Sequence, residues 1–252
     1  MKVIISPAKS LDFKNQANTD KYSQARFLDY SERLINKLKT LSVTQLSQLM
    51  HISANLANLN YQRNQQWQTP FTLKNAKQAV YSFTGEVFRG LDTPSLSKQK
   101  ISVLQAKVRI LSGLYGILKP LDLIQPYRLE MGTKLKVGRA DNLYQFWGTV
   151  LAESLNEELN SKQLLINLAS AEYFRVIPKK SLRVPVLTPV FKDLKNGQYK
   201  TIMTYAKKAR GLMLRYIIDN DIDSAEQLKG FDVQGYAFSK NLSSESEYVF
   251  TR

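Results

Sequence analysis

The sequence predicts an α+β protein in which a mixed sheet is surrounded by helices. Short apolar runs typical of buried strands occur at residues 2–6 and 164–168, and Asn196-Gly197 is a strong hairpin signal. Longer stretches have the spacing of amphipathic helices, as at residues 205–219. Strands and helices do not alternate strictly along the chain, which argues against a doubly wound sheet.

Hydrophobic spacing and turn residues predict the elements in chain order. The first half contains a strand at 2–6, a helix at 20–40, two short helices within 44–60, a helix at 72–83 that Thr72 caps, and a strand at 107–111. The second half contains a helix at 142–159, a strand at 164–168 that runs into a turn at 169–173, strands at 184–191 and 198–203, a helix at 205–219, and strands at 234–238 and 248–251. We assign Trp147, on the apolar stripe of the helix at 142–159, to the core.

Length and composition favour one domain, residues 1–252, because 43% apolar content supports a large core and no linker or repeat divides the chain. The absence of cysteine excludes disulfides, thiolate metal sites and thiol-based peroxide chemistry. A single histidine, His51, excludes a multi-histidine metal site. We therefore expect no metal and no cofactor. No signal-like or membrane-spanning run is found, which predicts a cytoplasmic protein without a membrane partner.

The charge is strongly basic and unevenly distributed. The formal net charge is +15, which favours an anionic partner such as nucleic acid. Residues 175–215 contain eleven Lys/Arg and one acid, Asp193, whereas residues 216–252 contain three Lys/Arg and seven acids. The basic block is either an anion-binding face or an ordinary solvated surface.

Residues 109–135 are the most informative stretch. Five glycines and prolines interrupt them, so they predict a strand followed by rigid turns that carry polar groups. Rigid polar loops are frequent places for binding and chemistry. The alternative is a well-packed structural crossover.

Residues 44–60 are typical of a helix-hairpin-helix, a module that holds a DNA phosphate on hairpin amides and a helix N-terminus. The hairpin would be His51-Ile52-Ser53, with His51 and Ser53 where glycines are usual. A simple pair of core helices is the alternative.

Polar turns follow three predicted strands, and such turns can meet at one sheet edge. They place Lys9, Ser112, Tyr115, Arg128, Glu172 and Tyr173 around one possible pocket. Glu172 suits general-base chemistry, and Tyr115 or Tyr173 suits an aromatic platform for a base. On the helix at 205–219, Gly211 indicates a close approach by another segment, beside several cations.

Several motifs together resemble one known family. They are SPAKSLDF (6–13), FTGEVFRGLD (83–92), LSGLYGILKPLDLIQPYRLEMGTKL (111–135), LYQFWG (143–148), NLASAEYF (167–174) and KKARGLMLRYI (207–217). This pattern, which spans nearly the whole chain, resembles the YaaA family of peroxide stress resistance proteins.

The resemblance implies a YaaA-type fold with a helix-hairpin-helix at residues 44–59, a positively charged cleft, DNA binding, and protection against peroxide by limiting free iron. The residues that we assign to sequence-tolerant binding of duplex or damaged DNA are His51, Ile52, Ser53, Asn55, Lys9, Lys119, Arg128, Lys207, Lys208, Arg210 and Arg215. We expect no obligate protein partner.

Two alternatives remain open. One is a glycosidase-like enzyme that acts on a nucleotide or nucleic-acid base, with the candidates Glu172, Tyr115, Tyr173 and Ser112. The other is iron chelation by the acids at positions 219, 221, 223 and 226, which more closely resemble a helix-capping turn.

Overall fold

The computed structural model describes all residues, 1–252. The strands are β1 (Lys2–Ile5), β2 (Ser10–Leu11), β3 (Lys77–Gln78), β4 (Phe83–Thr84), β5 (Val108–Ser112), β6 (Gly116–Leu118), β7 (Leu123–Ile124), β8 (Leu165–Leu168), β9 (Val186–Lys195), β10 (Gln198–Lys200), β11 (Ala237–Phe238) and β12 (Glu247–Thr251). The helices are α1 (Leu28–Lys39), α2 (Val43–Met50), α3 (Ala54–Gln66), α4 (Ala79–Ser82), α5 (Glu86–Leu91), α6 (Lys98–Lys107), α7 (Leu143–Trp147), α8 (Val150–Glu158), α9 (Ala171–Phe174), α10 (Met203–Asp219) and α11 (Ala225–Leu228).

The main sheet has the strand order β11-β12-β9-β8-β1-β5-β6, with β10 paired to β9 as a hairpin. The five strands from β12 to β5 in this order run parallel, and β11, β6 and β10 are antiparallel to their neighbours. Strands β1, β5 and β8 are almost wholly buried, as expected for parallel strands that helices cover on both faces.

The predicted mixed sheet with surrounding helices is confirmed, and the class needs one correction. Because the sheet is mainly parallel, the architecture is mixed α/β, not the segregated α+β arrangement. The crossovers that make the strands parallel are long and irregular in length, so the sequence lacks the even alternation that indicates such a sheet.

Several predicted elements are confirmed within a few residues. They are β1, β5, β8, the hairpin of β9 and β10, helix α10, the two short helices α2 and α3, and the late strands β11 and β12. Asn196 and Gly197 both have positive φ, 52° and 74°, which a two-residue hairpin loop requires. Trp147 lies fully buried in the core, as predicted.

The predicted helix at residues 72–83 is wrong. The Thr72 N–H donates to Asn75 Oδ1 at 2.8 Å and closes a turn, and β3, α4 and β4 follow. Strand β3 pairs with β7, and β4 pairs with β2. These pairings join segments that are far apart in sequence, so they override a local helical pattern.

The helices predicted at 142–159 and 20–40 are too long. Gly148, at φ +48°, separates α7 from α8. Ahead of α1, the Ser23 N–H donates to the Leu121 carbonyl at 2.9 Å, so that stretch forms a bridge rather than a helical turn. The turn predicted at 169–173 contains the short helix α9, which Ser170 caps.

Candidate functional site

The carboxyl ends of β1, β5 and β8 lie at one edge of the sheet because the three strands are parallel neighbours. The turns that follow β1 and β8 touch directly, since the Ser170 N–H donates to Ser6 Oγ at 2.9 Å. The turn after β5 leads into residues 127–134, which extend over the same edge. The predicted meeting of strand ends is therefore present in the structure.

A cleft of about 450 Å³ opens at this edge, and we call it the carboxyl-edge cleft. It is lined by residues of four segments that are distant in sequence. They are Lys9; Leu49, Met50 and His51 of the α2–α3 connection; Arg128, Glu130, Gly132, Thr133 and Lys134; and Glu172. The lining is mostly charged or polar, which suits an ionic ligand better than an apolar one.

Glu130 organises the cations of the carboxyl-edge cleft. Its carboxylate accepts from Lys9 Nζ at 2.6 Å and from Arg128 Nη2 at 3.0 Å. Arg128 Nε is buried and has no hydrogen-bond partner, and Lys134 is exposed without an ion pair. The cleft thus offers cationic donors that the protein's own carboxylates leave unsatisfied.

Glu172 also lines the cleft and lies beside Gly132. Its side chain accepts from the Gly132 N–H at 3.0 Å, and its carbonyl accepts from the Tyr144 hydroxyl at 3.0 Å. The residue is exposed, unlike the neighbouring candidate Tyr173, which is buried. Glu172 therefore connects α9 to the loop that contains Gly132 through a hydrogen bond.

The α2–α3 turn (His51–Ser53) is the second feature of the cleft. His51 ends α2 in the left-handed conformation, with φ 51°, and the Ser53 side chain caps α3 by accepting from the Leu56 N–H at 3.4 Å. The N–H groups of Ser53, Ala54 and Asn55 donate to no acceptor within the protein. Free amides at the start of a 13-residue helix can bind an anion, and Ile52 packs the turn against the core.

The candidates Ser112 and Tyr115 lie inside the core rather than in the cleft. The Ser112 and Tyr127 hydroxyls are 2.7 Å apart, and the Tyr115 hydroxyl accepts from Trp67 Nε1 and from the Gln125 N–H, both at 3.1 Å. Burial raises the pKa of the Tyr115 and Tyr127 phenols, so both stay protonated. Tyr173 is also buried, and burial raises its pKa well above the usual value. None of these rings presents an open face to a base.

The cations of α10 are dispersed. Arg215 donates to the Asp92 carbonyl at 3.1 Å and to Ser95 Oγ at 2.6 Å, and pairs with Asp219 at 2.6 Å, so it holds the end of α5. Lys207 is exposed, and Lys208 lines a shallow hollow beside Arg252. Arg210 is half-buried without an acidic partner, and burial lowers its pKa.

Lys119 lies away from the carboxyl-edge cleft. It lines a separate hollow with Lys2, at the amino end of β1, whereas Lys9 follows the carboxyl end of that strand. The cause is the antiparallel turn from β5 to β6, which carries the chain back across the sheet. Asp122, in the same hollow, is buried and accepts from Ser23 Oγ at 2.6 Å.

The four acids considered for iron take separate cationic partners. Asp219 pairs with Arg215, Asp221 with Lys100, and Glu226 with Lys229, while Asp223 binds Lys107 and the N-terminal ammonium. Their carboxylates therefore do not converge, and the structure contains no group of three or more histidine or acidic side chains arranged to hold a metal.

Sequence reasoning missed Lys134, Thr133 and the contribution of Leu49 and Met50 to the cleft. One signal was available for Lys134, which lies only six residues after Arg128 in the same rigid segment. A second signal is the absence of any Asp or Glu between residues 33 and 85, a span that includes six Lys/Arg. That span contains α2 and α3, so the residues that this part of the chain adds to the cleft, Leu49, Met50 and His51, include no acid.

The fold and the cleft define a mixed α/β protein with a charged cleft at the carboxyl ends of parallel strands. A family model described as "Peroxide stress protein YaaA" matches residues 1–242, and the chain belongs to this family. The resemblance seen in the sequence is therefore confirmed. None of the helices combines the length and apolar character needed to cross a membrane.

Relatives agree with this assignment along their whole length. The chain is 54% identical to a UPF0246 protein of Flavobacterium psychrophilum over 252 residues, which cover all of both chains. It is 52% identical to the UPF0246 protein of Flavobacterium johnsoniae, again over all of both chains. It is also 52% identical to the UPF0246 protein of Colwellia psychrerythraea, which covers all of this chain and 99% of that one.

Proposed function

We propose that this member of the peroxide stress family is a cytoplasmic protein that binds DNA and thereby limits damage linked to free iron. The observation that carries the proposal is that His51, the first residue of the α2–α3 turn, lines one cleft with Lys9, Arg128 and Lys134. Free helix amides and cations together suit a nucleic-acid phosphate. In this proposal the turn acts as the hairpin of a helix-hairpin-helix module.

The contacts in the cleft favour backbone binding without base readout. Lys134 is exposed and lacks an ion pair, so it can contact a phosphate without breaking a protein contact, whereas Arg128 is paired with Glu130 through Nη2 and its Nε is buried. Lys9 is already paired with Glu130, so in this proposal its charge adds less to phosphate binding than that of Lys134 does. Phosphate contacts carry no sequence information, so binding is sequence-tolerant and falls steeply with salt.

The composition agrees with protection by binding rather than by peroxide chemistry. The chain has no cysteine and one histidine, so it lacks the thiols that reduce peroxide and the imidazoles that store iron. A bound protein keeps ferrous ions away from the phosphates that attract them. Because hydroxyl radicals form where ferrous iron meets peroxide, fewer of them then form next to the DNA.

Fluorescence anisotropy with labelled duplex, nicked and single-stranded DNA over a salt series tests the proposal. We expect Lys134→Glu to weaken binding at least threefold and to reduce the salt dependence. Lys162→Glu is the matched control, because Lys162 is an exposed lysine that precedes β8 at the opposite edge of the sheet. Equal binding by the two variants would contradict the role of the cleft.

A second measurement connects binding to protection. Supercoiled plasmid is exposed to ferrous iron and hydrogen peroxide in the presence of the wild-type protein or of each variant. We expect the wild type and Lys162→Glu to reduce nicking, and Lys134→Glu to reduce it less. Equal protection by all three proteins would separate protection from the cleft and contradict the proposed mechanism.

A further inference from the structure

A second and larger cleft, of about 680 Å³, lies between residues 13–20, the end of α3, and residues 73–78. We call it the amide-lined cleft, because Asn and Gln side chains form much of its wall. Its volume is that of an ordinary small-molecule site. The DNA-binding proposal above does not use it.

The amide-lined cleft carries an excess of positive charge. Lys14, Arg63, Lys74 and Lys77 line it, and Asp20 is the one acid in its lining. Lys77 is already satisfied, since its Nζ donates to the Asp12 carbonyl at 2.8 Å and lies 3.8 Å from the Asp12 carboxylate. The other three cations form no ion pair within the protein, and Asp20 alone balances only part of the positive charge of the cleft.

Arg63 is the most informative of these cations. Its side chain is half-buried, and its one hydrogen bond, from Nη1 to Asn60 Oδ1, is a long 3.5 Å. Burial lowers the pKa of the guanidinium, and the nearby Arg128 lowers it further. A half-buried guanidinium with a cationic neighbour and no acid is destabilised unless an anion binds it.

Uncommitted polar groups indicate what else the ligand carries. The side chains of Gln16 and Gln66 line the cleft and make no hydrogen bond within the protein. Amide side chains pair with the edges of nucleobases through a donor and an acceptor together. Phe13 adds a half-buried ring to the same wall, and base–aromatic stacking is a common partner of such pairing.

We propose that the amide-lined cleft binds a free nucleotide, with its phosphate on Arg63 between Lys14 and Lys74 and its base edge on Gln16 and Gln66. A guanidinium binds phosphate through two parallel hydrogen bonds, which the free donors of Arg63 allow. This is a small-molecule site separate from the carboxyl-edge cleft, and it does not depend on the DNA-binding proposal.

Isothermal titration calorimetry with ADP, UDP, adenosine and inorganic phosphate, each alone, tests the site. We expect ADP or UDP to bind and both fragments to bind at least tenfold more weakly. Arg63→Gln should weaken nucleotide binding at least tenfold. Arg139→Gln, which removes an exposed arginine away from both clefts, should bind as the wild type does. Absence of binding by both nucleotides at millimolar concentration, or equal binding by Arg63→Gln, would overturn the proposal.

Two further variants distinguish loss of nucleotide binding from misfolding and from binding in the carboxyl-edge cleft. Lys74→Ala changes an exposed side chain, so the fold tolerates it, and we expect it to weaken nucleotide binding about threefold. Unchanged nucleotide binding by Lys74→Ala would also overturn the proposal, because the proposal places the phosphate between Lys14 and Lys74. Lys134→Glu should bind nucleotide normally, and loss of its nucleotide binding would place the ligand in the carboxyl-edge cleft instead.

Discussion

Gly90 of α5 and Gly211 of α10 face each other where the two helices cross. A Cβ on Gly211 would lie 2.0 Å from the Val87 carbonyl oxygen and 2.9 Å from the Gly90 Cα. A Cβ on Gly90 would lie 2.5 Å from the Lys208 carbonyl oxygen. The crossing therefore has room for hydrogen atoms alone, and the close approach predicted for Gly211 is made by a segment of the same chain.

We expect Gly211→Ala to lower the free energy of unfolding by about 2–3 kcal/mol, because the added methyl group forces the two helices apart. Urea unfolding followed by circular dichroism measures the change. Lys207→Ala, at an exposed position of the same helix, is the control and should unfold like the wild type. An unchanged midpoint for Gly211→Ala would mean that the crossing adjusts without cost.

Tyr115→Phe should destabilise the protein by about 2–4 kcal/mol, since it leaves the Trp67 and Gln125 N–H donors unsatisfied in the core. Thermal unfolding checks this against Tyr22→Phe, which changes an exposed phenol. DNA and nucleotide affinity should stay within twofold of the wild type for both variants. A selective loss of binding at full stability would instead assign Tyr115 to a ligand.

Asp122 should make stability depend on pH. Burial raises its pKa from 3.8 to about 6, so the folded state binds a proton more tightly than the unfolded state. The stability contribution is thus complete below about pH 4 and is lost as pH rises through 6, a change on the order of 3 kcal/mol. Urea unfolding of wild type and Asp122→Asn between pH 4 and 7 measures it as the difference between the two curves.

Asp20→Asn is the control for this pH series, because Asp20 is exposed. We expect its curve to parallel that of the wild type, whereas Asp122→Asn lacks the decline between pH 4 and 6. Parallel curves for all three proteins would show that Asp122 ionises at its ordinary pKa in the folded state.

Arg215 and Lys207 should separate stability from DNA binding. Arg215→Ala removes the donors that hold the Leu91 and Asp92 carbonyls at the end of α5, so we expect a loss of about 2–3 kcal/mol in stability. Lys207→Ala removes an exposed charge and should lower DNA affinity about twofold at low salt without affecting stability. Fluorescence anisotropy measures the DNA affinity of both variants, and urea unfolding measures their stability. A stability loss for Lys207→Ala together with a loss of DNA affinity alone for Arg215→Ala would contradict this assignment.

The sequence predicted the central strands well because their signal is local. Val3, Ile4 and Ile5 form a short run of β-branched residues that Pro7 ends, which favours a buried strand. Asn196 and Gly197 likewise specify their hairpin through their own backbone preferences. These elements would be recognised in almost any context.

The elements that were missed depend on distant partners. Strand β3 exists because Lys77 and Gln78 pair with Ile124 and Leu123, and nothing within residues 72–83 indicates that pairing. The break between α7 and α8 lies at Gly148, whose φ of +48° is incompatible with a continuous helix. Long-range pairing decides the first case and one backbone conformation the second, so the spacing of apolar residues alone predicts the wrong element.

The candidate site likewise contains features that have a local sequence signal and features that depend on tertiary packing. The convergence of Lys9, Arg128 and Glu172 was predictable, because each follows or lies close behind a strand that ends at one edge. Sequence could not show that Tyr115 points inward, since a tyrosine after a strand suits either the core or a cleft equally well. Nor could it show that His51 lines the same cleft as Lys134, which depends on how helices pack on the sheet.

The two tryptophans share a property with practical value. Trp67 Nε1 donates to the Tyr115 hydroxyl, and Trp147 Nε1 donates to the Gly113 carbonyl, each at 3.1 Å. Both indoles are therefore anchored to the loop that follows β5, although they come from distant parts of the chain. A change in the conformation of that loop changes the surroundings of both rings at once. The intrinsic tryptophan fluorescence of the protein therefore reports on the segment that supports the carboxyl-edge cleft.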